Sequence, residues 1–352
     1  MIEESSPAAV KAAAGVSMMD RTMKKYGMSV MLAAVCCGQA NAAAGDTTIA
    51  RWKDDRAAAF LLMFDDGWPS HWQVAVPELA KRGVIATFYI VPEKGEYKKF
   101  EEKWRTEVPK TGMVYGAHTM THQGVEDAEH ADGEIGGSAE YIRKLTNKPK
   151  PELLSYAQPG VPQGKWNITG GQQAAILKKY KLIDRPPFRD HGAVYHWKTK
   201  DEIVALADRA IAAKGMEYII WHGVERIEPD WGYQDMWAMK QDVLLPIFDA
   251  LKERSDNGQL WITDHISQHK YEVERDAAEV KMLRKVGRGI ELELKCSADP
   301  ELYDAPLTLV TEVPADWKTV TVSQGEVKTT IEAKDGKVTF DALPGIVRLA
   351  AQ

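Results

Sequence analysis

Between Ala57 and about Glu274, short apolar runs alternate with segments that have the periodicity of amphipathic helices. Parallel strands need a crossover between them, and the usual crossover is a helix. The alternation therefore predicts an α/β fold, either a parallel sheet or a closed β/α barrel. The predicted strands are Ala58–Phe64, Val84–Val91, Met113–Gly116, Leu153–Ala157, Lys181–Asp184, Glu217–Trp221 and Leu260–Thr263. The predicted helices are Trp72–Arg82, Gly136–Leu145, Gly171–Tyr180, Lys200–Lys214, Gln234–Arg254 and His265–Glu274.

Near residue 285 the pattern changes to short, alternating runs that are bounded by turns. Asp335-Gly336, for example, is a typical hairpin turn. We therefore assign residues 45–280 to the α/β domain and residues 281–352 to a small all-β domain that resembles a β-sandwich. Trp317 is the one Trp of this tail, so we expect a packing role rather than a glycan-binding strip. Its predicted strands are Gly289–Cys296, Leu307–Glu312, Thr319–Val322, Lys328–Ala333, Lys337–Asp341 and Gly345–Leu349.

The composition is that of a soluble globular protein, with 44% hydrophobic and 27% charged residues among 352. A net charge of −6 and a sequence pI near 5.9 argue against a nucleic-acid partner.

The N-terminal segment has the features of a secretory signal peptide in their usual order. A basic start at Met23-Lys24-Lys25 is followed by an apolar stretch to Cys37 and by the small-x-small pattern Ala40-Asn41-Ala42. We therefore expect Met23 to be the true start, residues 1–44 to be absent from the mature chain, and the protein to be secreted or periplasmic, without a transmembrane segment. A lipid anchor at Cys36 or Cys37 is the weaker alternative, because neither follows a small residue. Cys296 would then be the one remaining thiol, which excludes an intrachain disulfide.

Two short motifs carry side chains suited to metal binding and proton transfer. Phe64-Asp65-Asp66-Gly67 ends one predicted strand, and His118-Thr119-Met120-Thr121-His122 follows another. In a helical turn, the i, i+4 spacing would place both imidazoles on one face. One carboxylate and two His are a common ligand set for a divalent transition metal, and a second carboxylate beside them can deprotonate water. Taken singly, the motifs are also typical of a turn and of a solvated helix face, but at the ends of strands they predict a hydrolase site.

With Ile220-Trp221-His222, these motifs resemble those of the polysaccharide deacetylases, the NodB-homology carbohydrate esterases. That family has T-F-D-D-G, H-[ST]-x-x-H and L-x-H in this order, and Met63 here replaces the Thr. The resemblance covers about Ala57 to Glu274. It implies a distorted (β/α) barrel of the NodB-homology type, with the site at the carboxyl ends of the strands.

The resemblance also implies roles for individual residues. Asp65 would be the general base and His222 the general acid. The ligands of a divalent metal, most often zinc and sometimes cobalt, would be Asp66, His118 and His122.

The family's third motif, R-P-P-Y, is displaced in this sequence. By position it falls on Ala157-Gln158-Pro159-Gly160, so the Arg that pairs with the catalytic Asp is missing, although the Gly160 N–H remains available to an oxyanion. Arg185-Pro186-Pro187-Phe188 spells the motif one strand later. We expect Arg185 or Arg189 to pair with Asp65, and Asp190 to orient His222. The alternative is a plain surface loop around two prolines, which would leave the pKa of Asp65 higher.

Several tryptophans lie near the predicted strand ends, where an exposed indole face can stack on a sugar ring. Most Trp in an enzyme of this size belong to the core. We expect Trp68 and Trp221 to contact substrate, and Trp68 above all because it directly follows Asp-Asp-Gly.

These observations predict a metal-dependent hydrolase that removes acetyl groups from an N- or O-acetylated polysaccharide or oligosaccharide. The metal would activate water, with an Asp base and a His acid and no covalent intermediate. Two alternatives remain open. A small-amide hydrolase could share the fold, although the signal segment speaks against it. A glycan-binding protein with a degenerate site is suggested by the displaced Arg.

Overall fold

The computed structural model describes residues 43–148, 152–187, 199–227 and 233–352, which lie in one compact unit. Strands and helices alternate through the first part of this unit. The strands are β1 (Thr47–Ile49), β2 (Ala58–Phe64), β3 (Thr87–Ile90), β4 (Val114–Ala117), β5 (Leu154–Tyr156), β6 (Leu182–Asp184), β7 (Met216–Trp221) and β8 (Leu260–Thr263). The helices are α1 (Val76–Lys81), α2 (Gly95–Lys99), α3 (Glu101–Thr106), α4 (Ala128–Ala131), α5 (Gly137–Thr146), α6 (Gly170–Lys179), α7 (Lys200–Ala213), α8 (Gln241–Asp256) and α9 (His265–Asp276).

The central sheet is parallel and has the strand order β6-β5-β4-β3-β2-β7. β7 pairs with one edge of β2 along nearly its whole length. On the other edge, β8 pairs with Ala58–Leu61 and β3 pairs with Met63 and Phe64. The strands therefore curl into a partial barrel surrounded by helices. The predicted α/β fold, a distorted (β/α) barrel with an all-β tail, is confirmed.

The strand β2 illustrates how the sheet is buried on both faces. Its sequence, AAFLLMF, has no polar residue, and every side chain in it is buried. Alternate residues face opposite sides of a strand. Leu61 and Met63 accordingly join the small cluster inside the barrel, while Phe60 and Phe64 pack in the large outer core beneath the helices. Such continuous apolar runs are typical of parallel sheets that are covered on both faces.

Several predicted helices have different bounds in the structure. The predicted helix Gln234–Arg254 begins only at Gln241, because the residues before it form a loop that is bonded to the end of β7. In that loop, the Gly223 N–H donates to the Met236 carbonyl at 2.8 Å, and the Met239 N–H donates to the Gly223 carbonyl at 3.0 Å. Other segments were not predicted as helices at all, namely α2, α3 and α4.

The C-terminal module consists of β9 (Ala278–Val286), β10 (Gly289–Cys296), β11 (Leu307–Glu312), β12 (Thr319–Gln324), β13 (Val327–Glu332), β14 (Lys337–Ala342) and β15 (Gly345–Ala351). It has one antiparallel sheet of order β13-β12-β15-β10-β9 and a second of order β1-β11-β14. Alternate residues of both sheets enclose a second apolar core that contains Leu292, Leu309 and Val347. The strand β1 comes from the N-terminal side of the barrel, so the module is completed by a distant part of the chain.

No helix within the described ranges is both long enough and apolar enough to cross a membrane. The predicted signal segment falls almost wholly on residues 1–42, which lie outside the described residues, as do Arg189 and Asp190.

Candidate active site

The polar side chains of the site follow the carboxyl ends of neighbouring parallel strands. Asp65 and Asp66 come directly after β2, His118 after β4, Arg185 after β6 and His222 after β7. Because these strands are parallel, their ends lie at the same edge of the sheet, and the side chains meet there.

Two of these side chains, together with that of His122, form a group that could hold a metal ion. The ligand atoms of Asp66, His118 and His122 all lie within 4.8 Å of one another. Asp66 Oδ1 is 3.6 Å from His118 Nε2 and 3.3 Å from His122 Nε2. Among the described residues, this buried oxygen has no hydrogen-bond partner. A buried carboxylate oxygen without a donor is costly, and a cation held between it and the two imidazoles would satisfy it.

The prediction that His118 and His122 lie on a helical turn is wrong. His118 to His122 form an irregular loop in which Thr119 and His122 have φ angles of 65° and 61°. The Thr119 hydroxyl accepts a hydrogen bond from the His122 N–H at 3.1 Å. This tight loop brings the imidazole centroids to 5.1 Å from each other.

Glu134, which the sequence analysis missed, holds this loop in place. Its buried carboxylate accepts hydrogen bonds from the N–H groups of Met120 at 3.1 Å and Thr121 at 3.0 Å, and from the Thr121 hydroxyl at 3.0 Å. A charged acceptor makes these bonds stronger than neutral ones. No motif marks this residue, because it lies in a helical segment and approaches the loop only in the folded chain.

His118 is prepared to act as a ligand through Nε2. Its Nδ1 donates to the Ala157 carbonyl at 2.8 Å, which fixes the tautomer and leaves the Nε2 lone pair facing Asp66. Burial lowers the pKa of His118 to about 4, although Asp65 and Asp66 oppose the shift. The ring is therefore neutral near pH 7, as metal binding requires.

Asp66 is held through its other oxygen, Oδ2. The Trp68 Nε1–H donates to Oδ2 at 3.0 Å, and the Lys94 ammonium lies 3.4 Å from it. Burial alone would raise the pKa of Asp66, but His118 and Lys94 lower it below its usual value. Asp66 also has a positive φ of 81°, which turns its side chain away from the direction it would take in a regular strand.

Asp65 forms a bidentate ion pair with Arg185. The guanidinium donates to Oδ1 at 2.5 Å and to Oδ2 at 2.9 Å, and both side chains are buried. Burial alone would raise the pKa of Asp65, but Arg185 and the nearby imidazoles hold it well below its usual range. The Arg185 guanidinium also lies over the Tyr89 ring, 4.8 Å from its centroid. Of the two candidate partners for Asp65, the structure thus places Arg185 in contact, whereas Arg189 lies outside the described residues.

His222 lies at the end of β7 and is mostly buried. Burial lowers its pKa, against the opposing effect of Asp65 and Asp66. Its ring meets the Trp237 ring edge to face, with centroids 4.7 Å apart, and among the described residues its Nδ1 has no hydrogen-bond partner. The predicted partner of this imidazole, Asp190, lies outside the described residues.

A buried hydrogen-bond network behind His222 was also missed from sequence. Asp235 accepts a hydrogen bond from the Ser70 N–H at 2.8 Å and one from the Arg226 guanidinium at 2.8 Å. The His71 ring donates to the His222 carbonyl. Of these contacts, the one from His71 holds the backbone of His222 directly.

The residues predicted to contact substrate have three different placements. Trp221 is completely buried between Phe64 and Phe248, with ring centroids 5.1 and 5.9 Å away, so the prediction that it contacts a glycan does not fit this position. Trp68 is only 7% exposed, and its ring face is covered by Lys94 at 3.8 Å. Its clearest contact is with Asp66 rather than with an open surface. Gly160 is exposed in the loop after β5, three residues beyond the carbonyl that binds His118.

Comparison with known proteins identifies relatives of part of this chain. Residues 53–177 match the family model described as polysaccharide deacetylase. The match includes Asp65, Asp66, His118 and His122, and it ends before Arg185 and His222. A gellan lyase from a Bacillus species is 22% identical over 323 residues, which are 83% of this chain but only 12% of that protein.

Two solved structures illustrate the structural likeness. A peptidoglycan deacetylase from Bacillus subtilis is 18% identical, with 60% of this chain and 90% of that chain covered and a TM-score of 0.39. A family 4 carbohydrate esterase from Streptomyces lividans, in complex with acetate, is 18% identical, with 60% and 94% covered and a TM-score of 0.41.

Proposed function

We propose that this protein is a hydrolase that removes acetyl groups from an N- or O-acetylated polysaccharide or oligosaccharide, because residues 53–177 match the polysaccharide deacetylase family model. The observation that carries the proposal is that three groups of side chains lie together at the carboxyl ends of the strands. They are the Asp65–Arg185 pair, the cluster of Asp66, His118 and His122, and His222. This set combines a candidate metal site, a carboxylate base and an imidazole acid, which hydrolysis of an acetamide or acetate ester requires.

The proposed cofactor is a divalent metal held by Asp66, His118 and His122. One carboxylate and two neutral imidazoles suit zinc, and other divalent transition metals to a lesser degree. When bound there, the metal would polarise the acetyl carbonyl and make water a better nucleophile. Asp66 Oδ1 has no hydrogen-bond partner among the described residues and faces His118 Nε2 at 3.6 Å, which supports this assignment.

Each remaining residue has a role that follows from its contacts. Asp65 would accept the proton of the attacking water, and Arg185 keeps this carboxylate ionised and correctly turned. His222 would donate a proton to the departing nitrogen or oxygen. The Gly160 N–H is the proposed second donor to the oxyanion, because it follows β5 at the same edge of the sheet.

The Arg185 contact bears on the alternative of a glycan-binding protein with a degenerate site. That alternative was motivated by the loss of Arg from the third motif. Since a guanidinium reaches Asp65 from β6, the carboxylate has its charge partner, and this reason for expecting a degenerate site falls away.

The test is acetate release from a panel of acetylated glycans, gellan included, by metal-stripped protein with and without added zinc. We expect zinc-dependent release from at least one glycan. Asp65→Asn should abolish turnover but retain zinc, whereas His118→Ala should lose both. Asp208→Asn, which makes the same substitution as Asp65→Asn at an exposed carboxylate of α7, is the matched control and should behave like the wild type. Stoichiometric zinc binding without acetate release from any glycan would contradict the proposal and favour a small-amide substrate or a binding protein.

We also propose that the protein is secreted or periplasmic, on the strength of the signal-like segment at residues 23–44. N-terminal sequencing of the protein recovered outside the cytoplasm should then begin near residue 43. A chain that stays in the cytoplasm with residues 23–42 intact would contradict it.

A further inference from the structure

Lys94 lies beside the metal cluster, and none of the motifs includes it. It stands in the turn between β3 and α2, at the carboxyl end of the sheet. The backbone of this turn is tied to the histidine loop, because the Glu93 N–H donates to the Met120 carbonyl at 2.8 Å. The Lys94 side chain is 20% exposed, and its ammonium lies between Asp66 and the face of Trp68.

The two oxygens of Asp66 have different partners. Oδ2 faces the Trp68 Nε1–H at 3.0 Å and the Lys94 ammonium at 3.4 Å. Oδ1 faces the Nε2 atoms of His118 and His122 and has no hydrogen-bond partner among the described residues. A metal at this cluster would therefore bind Oδ1, on the opposite side of the same carboxylate from Lys94.

With a metal bound, this one buried carboxylate would stand between two cations. In the metal-free protein, Lys94 is the nearest full positive charge to Asp66 that the structure shows among the described residues. A bound divalent ion would neutralise the same carboxylate and repel an ammonium only one carboxylate group away. In a site with little water, such repulsion is weakly screened.

We propose that Lys94 is the counter-charge of Asp66 in the metal-free protein and competes with the metal for that carboxylate, so that it weakens metal binding. The inference rests on the proposed metal-dependent function. It makes Lys94 a residue that sets the affinity of the site for its ion through its charge on Asp66, and it distinguishes Lys94 from Trp68, which orients Asp66 without carrying a charge.

A purely structural role predicts the opposite result. If Lys94 only oriented Asp66, its removal would let the carboxylate turn and would weaken metal binding, as the loss of an outer-shell contact usually does. If Lys94 competes with the metal, its removal tightens binding. The sign of the change therefore decides between the two roles.

The experiment is calorimetric titration of zinc into metal-stripped full-length protein. Lys94→Met should bind zinc about tenfold more tightly than the wild type, and Lys94→Arg, which keeps the charge, should bind like the wild type. The matched control is Lys98→Met, which removes the same charge from an exposed side chain that pairs with Glu93. Its zinc affinity should stay within twofold of the wild type.

A second measurement uses thermal unfolding. Without metal, Lys94→Met should unfold at a lower temperature than the wild type, because Asp66 is left without its counter-charge. With saturating zinc, this difference should shrink or vanish.

Unchanged or weaker zinc binding in Lys94→Met would overturn the inference and leave the metal site in place. Absence of zinc binding in the wild type would instead refute the proposed metal-dependent function itself.

Discussion

Replacing Arg185 by Gln tests the central charge pair of the site. The substitution removes the charge and shortens the side chain, and it leaves the Asp65 carboxylate, which is 1% exposed, without its bidentate partner. Breaking a buried ion pair in this way costs about 3–5 kcal/mol of unfolding free energy. A domain is commonly stable by only about 5–15 kcal/mol, so the loss is easily measured by urea unfolding.

The contribution of this ion pair to the unfolding free energy depends on pH in a definite direction. The folded-state pKa of Asp65 lies well below its usual range, so the pair stabilises the fold fully above the unfolded pKa of about 3.9 and loses this effect as the pH falls through the folded pKa. In Arg185→Gln, burial is no longer opposed by the guanidinium, and the pKa of Asp65 rises. The stability difference between variant and wild type should therefore be largest near neutral pH and should shrink in acid.

The higher pKa of Asp65 in Arg185→Gln should also change the pH dependence of catalysis. The acidic limb of the pH profile of kcat/KM should move up by at least about one pH unit in Arg185→Gln, since one unit corresponds to about 1.4 kcal/mol. The control is Arg254→Gln, which breaks a bidentate pair with Asp208 on the surface and should cost at most about 1 kcal/mol. Equal stability losses in the two variants, or an unmoved acidic limb, would refute the reasoning.

The remaining predictions concern positions away from the reacting groups. Gly116→Ala should lower the unfolding free energy by about 1–3 kcal/mol, because a Cβ at Gly116 would come within 2.4 Å of the buried Tyr89 ring; denaturant unfolding measures this. Glu134→Gln should weaken zinc binding by about tenfold, since the loop of His118 and His122 loses its charged acceptor; calorimetric titration would show unchanged affinity if the loop were held otherwise. Burial raises the pKa of Glu274 to about 7, so this group favours the fold most below its unfolded pKa and less as the pH rises through 7. Glu274→Gln should flatten that part of the stability profile, and an unchanged profile would contradict it.

The sequence predicted the existence of the buried strands well and the exposure of single residues poorly. The runs that became β2 and β7 are apolar on both faces, so periodicity could not say which side of the sheet each residue occupies. Ile220 faces the barrel interior, while the adjacent Trp221 packs outward between Phe64 and Phe248. Trp221, although it precedes the proposed acid His222, therefore belongs to the core, and the prediction that it contacts substrate failed for that reason.

Contacts between distant parts of the chain were not predictable from local pattern. The strand β1 pairs with β11, although the whole barrel lies between them in sequence. Glu134 binds a loop that lies earlier in the chain than Glu134 itself. Lys94 is an intermediate case. It follows a predicted strand at its carboxyl end, which is where site residues were expected, but no motif singled it out.

The displaced Arg shows how far sequence reasoning can reach when a motif moves. In the sheet, β5 and β6 are direct neighbours, and Tyr156 pairs with Asp184, so Ala157 and Arg185 lie at the same height. Moving the Arg from the end of one strand to the end of the next shifts its Cα by one strand spacing, about 4.8 Å. An extended Arg side chain can span that added distance, and here Tyr89 supports the guanidinium on the way. The displaced motif could therefore predict Arg185 as a candidate partner of Asp65. Only the strand order of the folded sheet could decide whether its guanidinium reaches Asp65.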